Sequence, residues 1–192
     1  MRLPIFTLIA VMLFSISASA ATYVIDSSHS SVSFKVKHMM VSKVQGVFND
    51  FSGTLEFDEN NLKDWSTTAT IQAASVDSGD QKRDEHLRGA DFFDVETFPL
   101  IKYESKGVEK KGDHWIIHGE LTMHGVTKHM MLKMEFNGAI DDPWGNHRAG
   151  FTAEGKIDRT EFGIKYNSVL DQGGLAVGND VSIILEIEAI RQ

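Results

Sequence analysis

The feature that most limits how this chain can fold is an alternation of apolar and polar side chains, repeated in run after run. Val32, Phe34 and Val36 alternate with Ser31, Ser33, Lys35 and Lys37, and Leu55 and Phe57 alternate with Thr54 and Glu56. Trp115, Ile117, Leu121 and Met123 alternate with His114, Ile116, His118, Glu120 and Thr122, with Gly119 on the apolar side. Met130, Leu132, Met134 and Phe136 alternate with Met131, Lys133 and Glu135, and Phe151, Ala153 and Ile157 with Thr152, Glu154 and Lys156. Val181, Ile183, Leu185, Ile187 and Ala189 close the series. A period of two sends alternate side chains to opposite faces of a sheet. One apolar and one polar face is the mark of antiparallel pairing, and several such runs predict a sandwich or a barrel. The chain is all-β by this reading.

The breaks between runs agree. His124-Gly125 suits a two-residue hairpin, Asp141 to Asn146 is a longer turn, and Gly173-Gly174 is a flexible connection before the last strand. One stretch departs from the rhythm. Asp77-Ser78-Gly79-Asp80 leads into Gln81 to Arg88 and then Gly89, which reads as helix start and stop. A second short turn is expected over Asp91 to Val95, stopped by Pro99, so that a helical insertion near residues 80–97 caps one mouth of the sheet.

Residues 1–20 read as an address and 21–192 as one folded domain. Met1-Arg2-Leu3 begins it, Leu3 to Phe14 is apolar apart from Thr7, and Ala18-Ser19-Ala20 forms a small-residue cleavage site, with the cut expected between Ala20 and Ala21. The apolar run is short of the ~20 residues a membrane span needs. Export without any cysteine predicts a periplasmic protein. A net charge of −8 argues against nucleic acid as a partner.

Catalytic and metal signatures are weak. Of the eight His, none forms a helical pair with an acid as in zinc hydrolases; His118 and Glu120 share a strand face, and a solvated polar face explains them better than a metal. There is no nucleophile elbow, and Asp58, Asp84 and Asp158 suit turns and caps. Neither a cofactor nor an enzymatic reaction is expected. The Phe-rich composition fits either a packed core or a cavity. Phe92-Phe93 and Phe98 beside the insertion, with Gly119, Ala153 and Gly155 on the apolar face, favour a cavity.

A set of motifs in order resembles the YceI-like family of exported, lipocalin-like, polyisoprenoid-binding barrels. They are Asp26 with His29-Ser30 and the run Val32 to His38, Gly46-Val47-Phe48, Phe51-Ser52-Gly53, and Leu55 to Asp58. Ser75-Val76-Asp77 with Arg83 to Arg88 and Asp91-Phe92-Phe93 is the most distinctive block. Gly119 to Thr122 with Gly125-Val126-Thr127, then Asp158-Arg159 with Phe162-Gly163, complete the set. His129 and Phe98-Pro99 depart from residues common in the family. The resemblance implies an eight-stranded antiparallel barrel and an isoprenoid ligand, either a polyprenyl phosphate or a prenyl quinone.

On that basis the tail-binding candidates are Phe34, Val36, Phe57, Trp115, Ile117, Leu132, Met134, Phe151, Ile183 and Leu185, with Phe92 and Phe93 at the entrance. Head-group candidates are Arg83, His86 and Arg88, with His38 added, because a guanidinium offers a planar donor fork to phosphate or carbonyl oxygen. Transient membrane contact and pairing of two copies through a strand edge are further expectations. Two alternatives stand beside the carrier: a small lipid-acting enzyme in the same barrel, and a stress or interaction protein with a packed core.

Overall fold

The computed structural model describes residues 20–59, 61–169 and 175–192. The leader up to Ser19 and the Gly173-Gly174 connection lie outside the described residues. The strands are β1 (Ala21–Ile25), β2 (Ser31–His38), β3 (Ser42–Phe48), β4 (Phe51–Asp58), β5 (Asn61–Gln72) and a short β6 (Val76–Asp77). Helix α1 (Gln81–Arg88) follows, and then β7 (Leu100–Lys111), β8 (His114–Met123), β9 (Val126–Asp141), β10 (His147–Asp158) and β11 (Val177–Arg191). All pairings between them are antiparallel.

Eight strands close a ring in the order β1-β4-β5-β7-β8-β9-β10-β11, and β11 returns to β1. Closure removes the free edges that an open sheet would expose. Strand β11 is long enough to hold two neighbours end to end on one edge. Its C-terminal part pairs with β1 (Val24 opposite Ile190), and its N-terminal part pairs with β2 (Phe34 opposite Ile183). The β2–β3 hairpin and β6 therefore flare from one end of the ring.

The seam between β1 and β2 is closed by side chains. The Asp26 N–H donates to the Glu188 carbonyl at 2.8 Å, the Ser30 hydroxyl donates to that carbonyl at 3.1 Å, and the Glu188 N–H donates to Ser30 Oγ at 2.9 Å. These bonds replace the ladder where the chain kinks. Arg148 on β10 sits over the kink. Its Nη1 donates to Asp26 and Glu188, and its Nε donates to Asp142 Oδ2 at 2.6 Å.

The two ends of the barrel differ. One is plugged by stacked rings: Tyr23 on Phe57 (4.3 Å between centroids), Phe57 on Trp65 (5.1 Å), and Trp65 edge-on to Phe151 (4.6 Å). Above this plug, the Tyr23 hydroxyl and His147 both bond Glu59. Burial, with the bond to Glu59 adding to it, pushes the Tyr23 phenol up to about 12. Toward the other end, Phe34, Val36, Val181 and Ile183 are only half-buried although they face inward. Helix α1 lies across that end. Asp80 caps it by accepting from the Arg83 N–H at 2.9 Å, and buried Asp84 accepts from the Ser78 N–H and hydroxyl. The expected second turn is also present, as a series of tight turns with Asp94 at φ 45°. Gly119 and Gly155 do not open space as their small size suggested. A Cβ at Gly119 would overlap the Tyr103 ring, and one at Gly155 would overlap Met130 and Leu132, so neighbouring side chains already fill both notches.

The seam has a pH dependence of definite sign. Bonds from Ser28, Arg148 and His29 hold the Asp26 carboxyl well below the usual carboxylate range, and Arg148 with Asn146 does the same for Asp142. A depressed carboxylate stabilises the folded state fully above its unfolded value near 4 and loses that contribution as pH falls toward the folded value. Arg148→Leu should therefore lower the thermal midpoint at neutral pH. The gap from the parent protein should narrow below about pH 4, as protonation removes the same bonds in both. Thermal melts recorded between neutral pH and strong acid check this, and a gap independent of pH would contradict it.

Candidate functional site

Between the aromatic plug and α1 lies a cavity of about 530 Å³, within the roughly 300–1,000 Å³ of small-molecule sites. Its wall is almost wholly aliphatic and aromatic, because it is built from the inward-facing positions of the alternating strands. Polar side chains gather mainly toward the mouth: Lys37 and His38 from β2, Arg83 and His86 from α1, and Arg159, Tyr166 and Ser168 from the segment after β10.

Of the sequence-derived tail candidates, Phe34, Val36, Phe92, Phe93, Ile117, Leu132, Met134, Phe151, Ile183 and Leu185 line this cavity. Two do not. Phe57 belongs to the plug behind it, where Tyr23, Trp65 and Phe151 cover its ring. Trp115 lies near the far end of β8, with Lys110 Nζ 5.5 Å above its ring. Among the head-group candidates, Arg83, His86 and His38 reach the cavity and Arg88 turns away from it. Arg88 donates to the carbonyls of Ala74 and Val76 at 2.7 and 2.6 Å, bolting α1 to the chain before it. Arg83 spends its Nε and Nη2 on Ser78 Oγ and the Ser78 carbonyl, so that its visible bonds are structural too.

The mouth is framed by rings. His86 stands edge-on to both Phe92 and Tyr166, at 4.9 and 4.7 Å between centroids, and its Nε2 lies 3.0 Å from Asp91 Oδ2. Behind them is Arg159, 4% exposed. Its guanidinium donates to three carbonyls: Gly178 (2.9 Å), Ile164 (2.8 Å) and Val177 (3.2 Å). Burial pulls its pKa down, with Asp158 as the opposing charge. Arg159 thus ties the segment after β10 to the start of β11 and holds that side of the mouth.

Sequence reasoning did not single out Trp65, Tyr103, Tyr166 or Met39 as site residues. Trp65 and Tyr103 lie on β5 and β7, where threonine, serine and lysine blur the alternation. Tyr166 lies in an irregular segment with no period to read, and Met39 is in a turn. Outside the cavity, His118 bonds Glu109 and stacks on His129, which accounts for it without a metal. Asp26, His29 and Glu188 bring possible ligand atoms within 4.8 Å of one another, but Arg148 already bonds both carboxylates.

A closed antiparallel barrel, plugged at one end and open at the other on an apolar cavity, is a lipocalin-like binding barrel. Residues 23–189 match the YceI-like domain, and the chain belongs to the YceI-like family. It is 41% identical to protein YceI of Salmonella newport over 189 residues, covering 97% of this chain and 96% of the relative. Among solved structures it is similar to the Campylobacter jejuni YceI protein, with TM-score 0.70 and 31% identity over 81% of this chain and 90% of that one. Burkholderia cenocepacia BcnA shares the fold at TM-score 0.75 and 24% identity, over 85% of this chain and 98% of that one. A Saccharophagus degradans domain described as polyisoprenoid-binding shares it at TM-score 0.63 and 13% identity, over 90% and 99%.

The role given to Arg159 is testable. Arg159→Ala removes the guanidinium from the Gly178 and Ile164 carbonyls, while the Val177 carbonyl keeps Asn167 Nδ2, and should cost about 2–4 kcal/mol of stability. Arg159→Lys should recover only part of this, because one ammonium cannot reproduce the planar fork. Urea unfolding of the three proteins measures the order, and a fully rescued Lys variant would contradict it.

Proposed function

We propose that this chain is an exported binding protein that holds an isoprenoid lipid, a polyprenyl phosphate or a prenyl quinone, in the barrel and carries it through the periplasm. The observation that carries this reading is the cavity: apolar along its wall, open at one end, and framed there by rings. Each methylene left in water costs ~0.8 kcal/mol, so a prenyl chain needs such a lining to cross an aqueous space. Membership of the YceI-like family supports an isoprenoid as the guest, as does the polyisoprenoid-binding description of the Saccharophagus domain with the same fold. The apolar leader ending Ala18-Ser19-Ala20 supports export. We read the chain as a binder and not an enzyme, supported by its YceI-like family and by the polyisoprenoid-binding description of the Saccharophagus domain.

Mass spectrometry of the organic extract from protein purified from its native compartment should find a stoichiometric prenyl lipid. An empty extract, with no uptake of added isoprenoids, would overturn the reading. Ile183→Trp, which fills the lumen with an indole, should reduce uptake by about tenfold or more while the protein still folds.

We place the exchange face at the mouth, against a membrane. Among the described residues, six of the ten exposed large apolar side chains gather there: Met39, Met40, Val41, Tyr166, Val169 and Leu175. The Met39 N–H donates to the Ala176 carbonyl, which joins the hairpin tip to the Val169–Leu175 bridge region. The tip is built at a cost. Met39 and Met40 have φ of 50° and 62°, where two-residue hairpins ordinarily carry Asn-Gly, and Val41 is 86% exposed. Bulky residues in that conformation cost ~1–2 kcal/mol each, and what the tip gains is an apolar point beside the opening. Met40→Glu combined with Val41→Glu should slow uptake of a prenyl quinone from phospholipid vesicles several-fold while leaving affinity for the detergent-delivered quinone unchanged. Equal rates from vesicles would refute the exchange face.

A further inference from the structure

Two polar atoms in the cavity wall are buried without an acceptor among the described residues: the Tyr103 hydroxyl and the Trp65 Nε1–H. Both residues line the cavity, and they are 8% and 5% exposed. An unsatisfied buried donor costs ~1–3 kcal/mol, and native proteins carry few, so two in one apolar cavity call for a cause.

Their positions are related. Tyr103 on β7 pairs with Ala69 on β5 and Leu121 on β8, but its ring leans along the barrel over Gly119. Gly119 faces Ser105, and Ser105 Oγ accepts from the Thr67 N–H, so the tyrosine hydroxyl has moved to the Thr67 level. Trp65 is the next inward residue beyond Thr67, one same-face step of ~7 Å toward the plug. Thr67 itself spends its hydroxyl on the Thr54 carbonyl. Both donors therefore lie toward the closed end, about one same-face step apart along the barrel axis.

We infer that this closed end is a hydrogen-bonding subsite for a neutral carbonyl oxygen, with Tyr103 and Trp65 as donors, so that a prenyl quinone enters ring first and leaves its tail toward the mouth. The inference rests on the binding function proposed above and decides between its two ligand types. Trp65 can only donate, which fits an acceptor-only carbonyl. Burial raises the Tyr103 phenol above its ordinary range, so its hydroxyl keeps its proton. A phosphate does not fit there. The cations lining the cavity among the described residues are Lys37, Arg83 and Arg159, all at the mouth, and a buried anion facing two neutral donors would be strongly disfavoured.

The test uses two probes, a benzoquinone with a short prenyl tail and an isoprenoid hydrocarbon of equal carbon count. The parent protein should bind the quinone more tightly. Tyr103→Phe should weaken quinone binding roughly 3- to 15-fold and leave the hydrocarbon unchanged. It should not lower the thermal midpoint of the ligand-free protein, since it removes an unpartnered group. In a Trp115→Phe, Trp144→Phe protein, Trp65 is the sole indole, and the quinone should quench it strongly at saturation. If Tyr103→Phe changes both affinities alike or neither, or if Trp65 emission is unmoved while the quinone binds, the subsite is refuted. If the parent binds neither probe, the carrier reading itself fails.

Discussion

Strand β11 must satisfy β10 along one edge and, along the other, two strands that meet end to end. The rest of the barrel depends on how that junction is closed. Between β1 and β2 the chain turns out of line, and a plain ladder would leave the Glu188 amide and carbonyl without partners. The Ser30 hydroxyl acts as both donor and acceptor there, and the Asp26 amide supplies the second donor. Only a hydroxyl can play both parts at one atom. Arg148 then bridges Asp26, Glu188 and Asp142, so the kink is also a charged point of the wall. Because β1 and β2 are held at this point, β4 can close the ring while β3 flares away from it.

Plug and cavity are two consequences of that geometry. Where the ring is closed by β1 and β4, the inward residues are Tyr23, Phe57, Trp65 and Phe151, large enough to meet across the lumen. Where β2 and β3 splay, the inward residues Phe34, Val36, Val181 and Ile183 are paired along one wall, and the lumen in front of them stays open. The same alternation that builds a solid core at one end builds a hollow at the other. A hollow forgoes packing that its lining would otherwise make, and the half-exposed aliphatics are where that loss shows. A guest of matching polarity recovers it, which is why such a cavity reads as a binding site and not as poor packing.

Much of this was legible from the residues. Alternation around Val32–Val36, Trp115–Met123, Met130–Phe136 and Val181–Ala189 gave strands whose apolar side faces inward, and His124-Gly125 turns with positive φ at both residues, as a tight hairpin requires. Strand β5 was not legible, because Thr68 and Thr70 on one side and Thr67 and Ala69 on the other leave little contrast between its faces. Phe57 and Trp115 show a second limit. Alternation says which face a residue is on, but not how far along the barrel axis it lies, so a plug residue and a cavity residue look alike. The arginines show a third. Arg83 and Arg88 have the right chemistry for an anion, but only in the folded chain do neighbouring oxygens claim their nitrogens.

That use of arginine bears on how the barrel discriminates among guests. Arg88 and Arg159 direct their charged hydrogen bonds at backbone carbonyls, Arg83 at Ser78, and each holds a segment around the mouth in place. An anionic head group would have to compete for donors whose loss would loosen the frame it binds to. Their charge still biases the field at the opening, but directional recognition there is largely committed to the fold. Affinity then comes mainly from apolar burial along the wall, which is strong and indifferent to detail. Specificity falls to the few polar atoms the fold has not used, and because they sit in an apolar surround, each discriminates more sharply than it would in water.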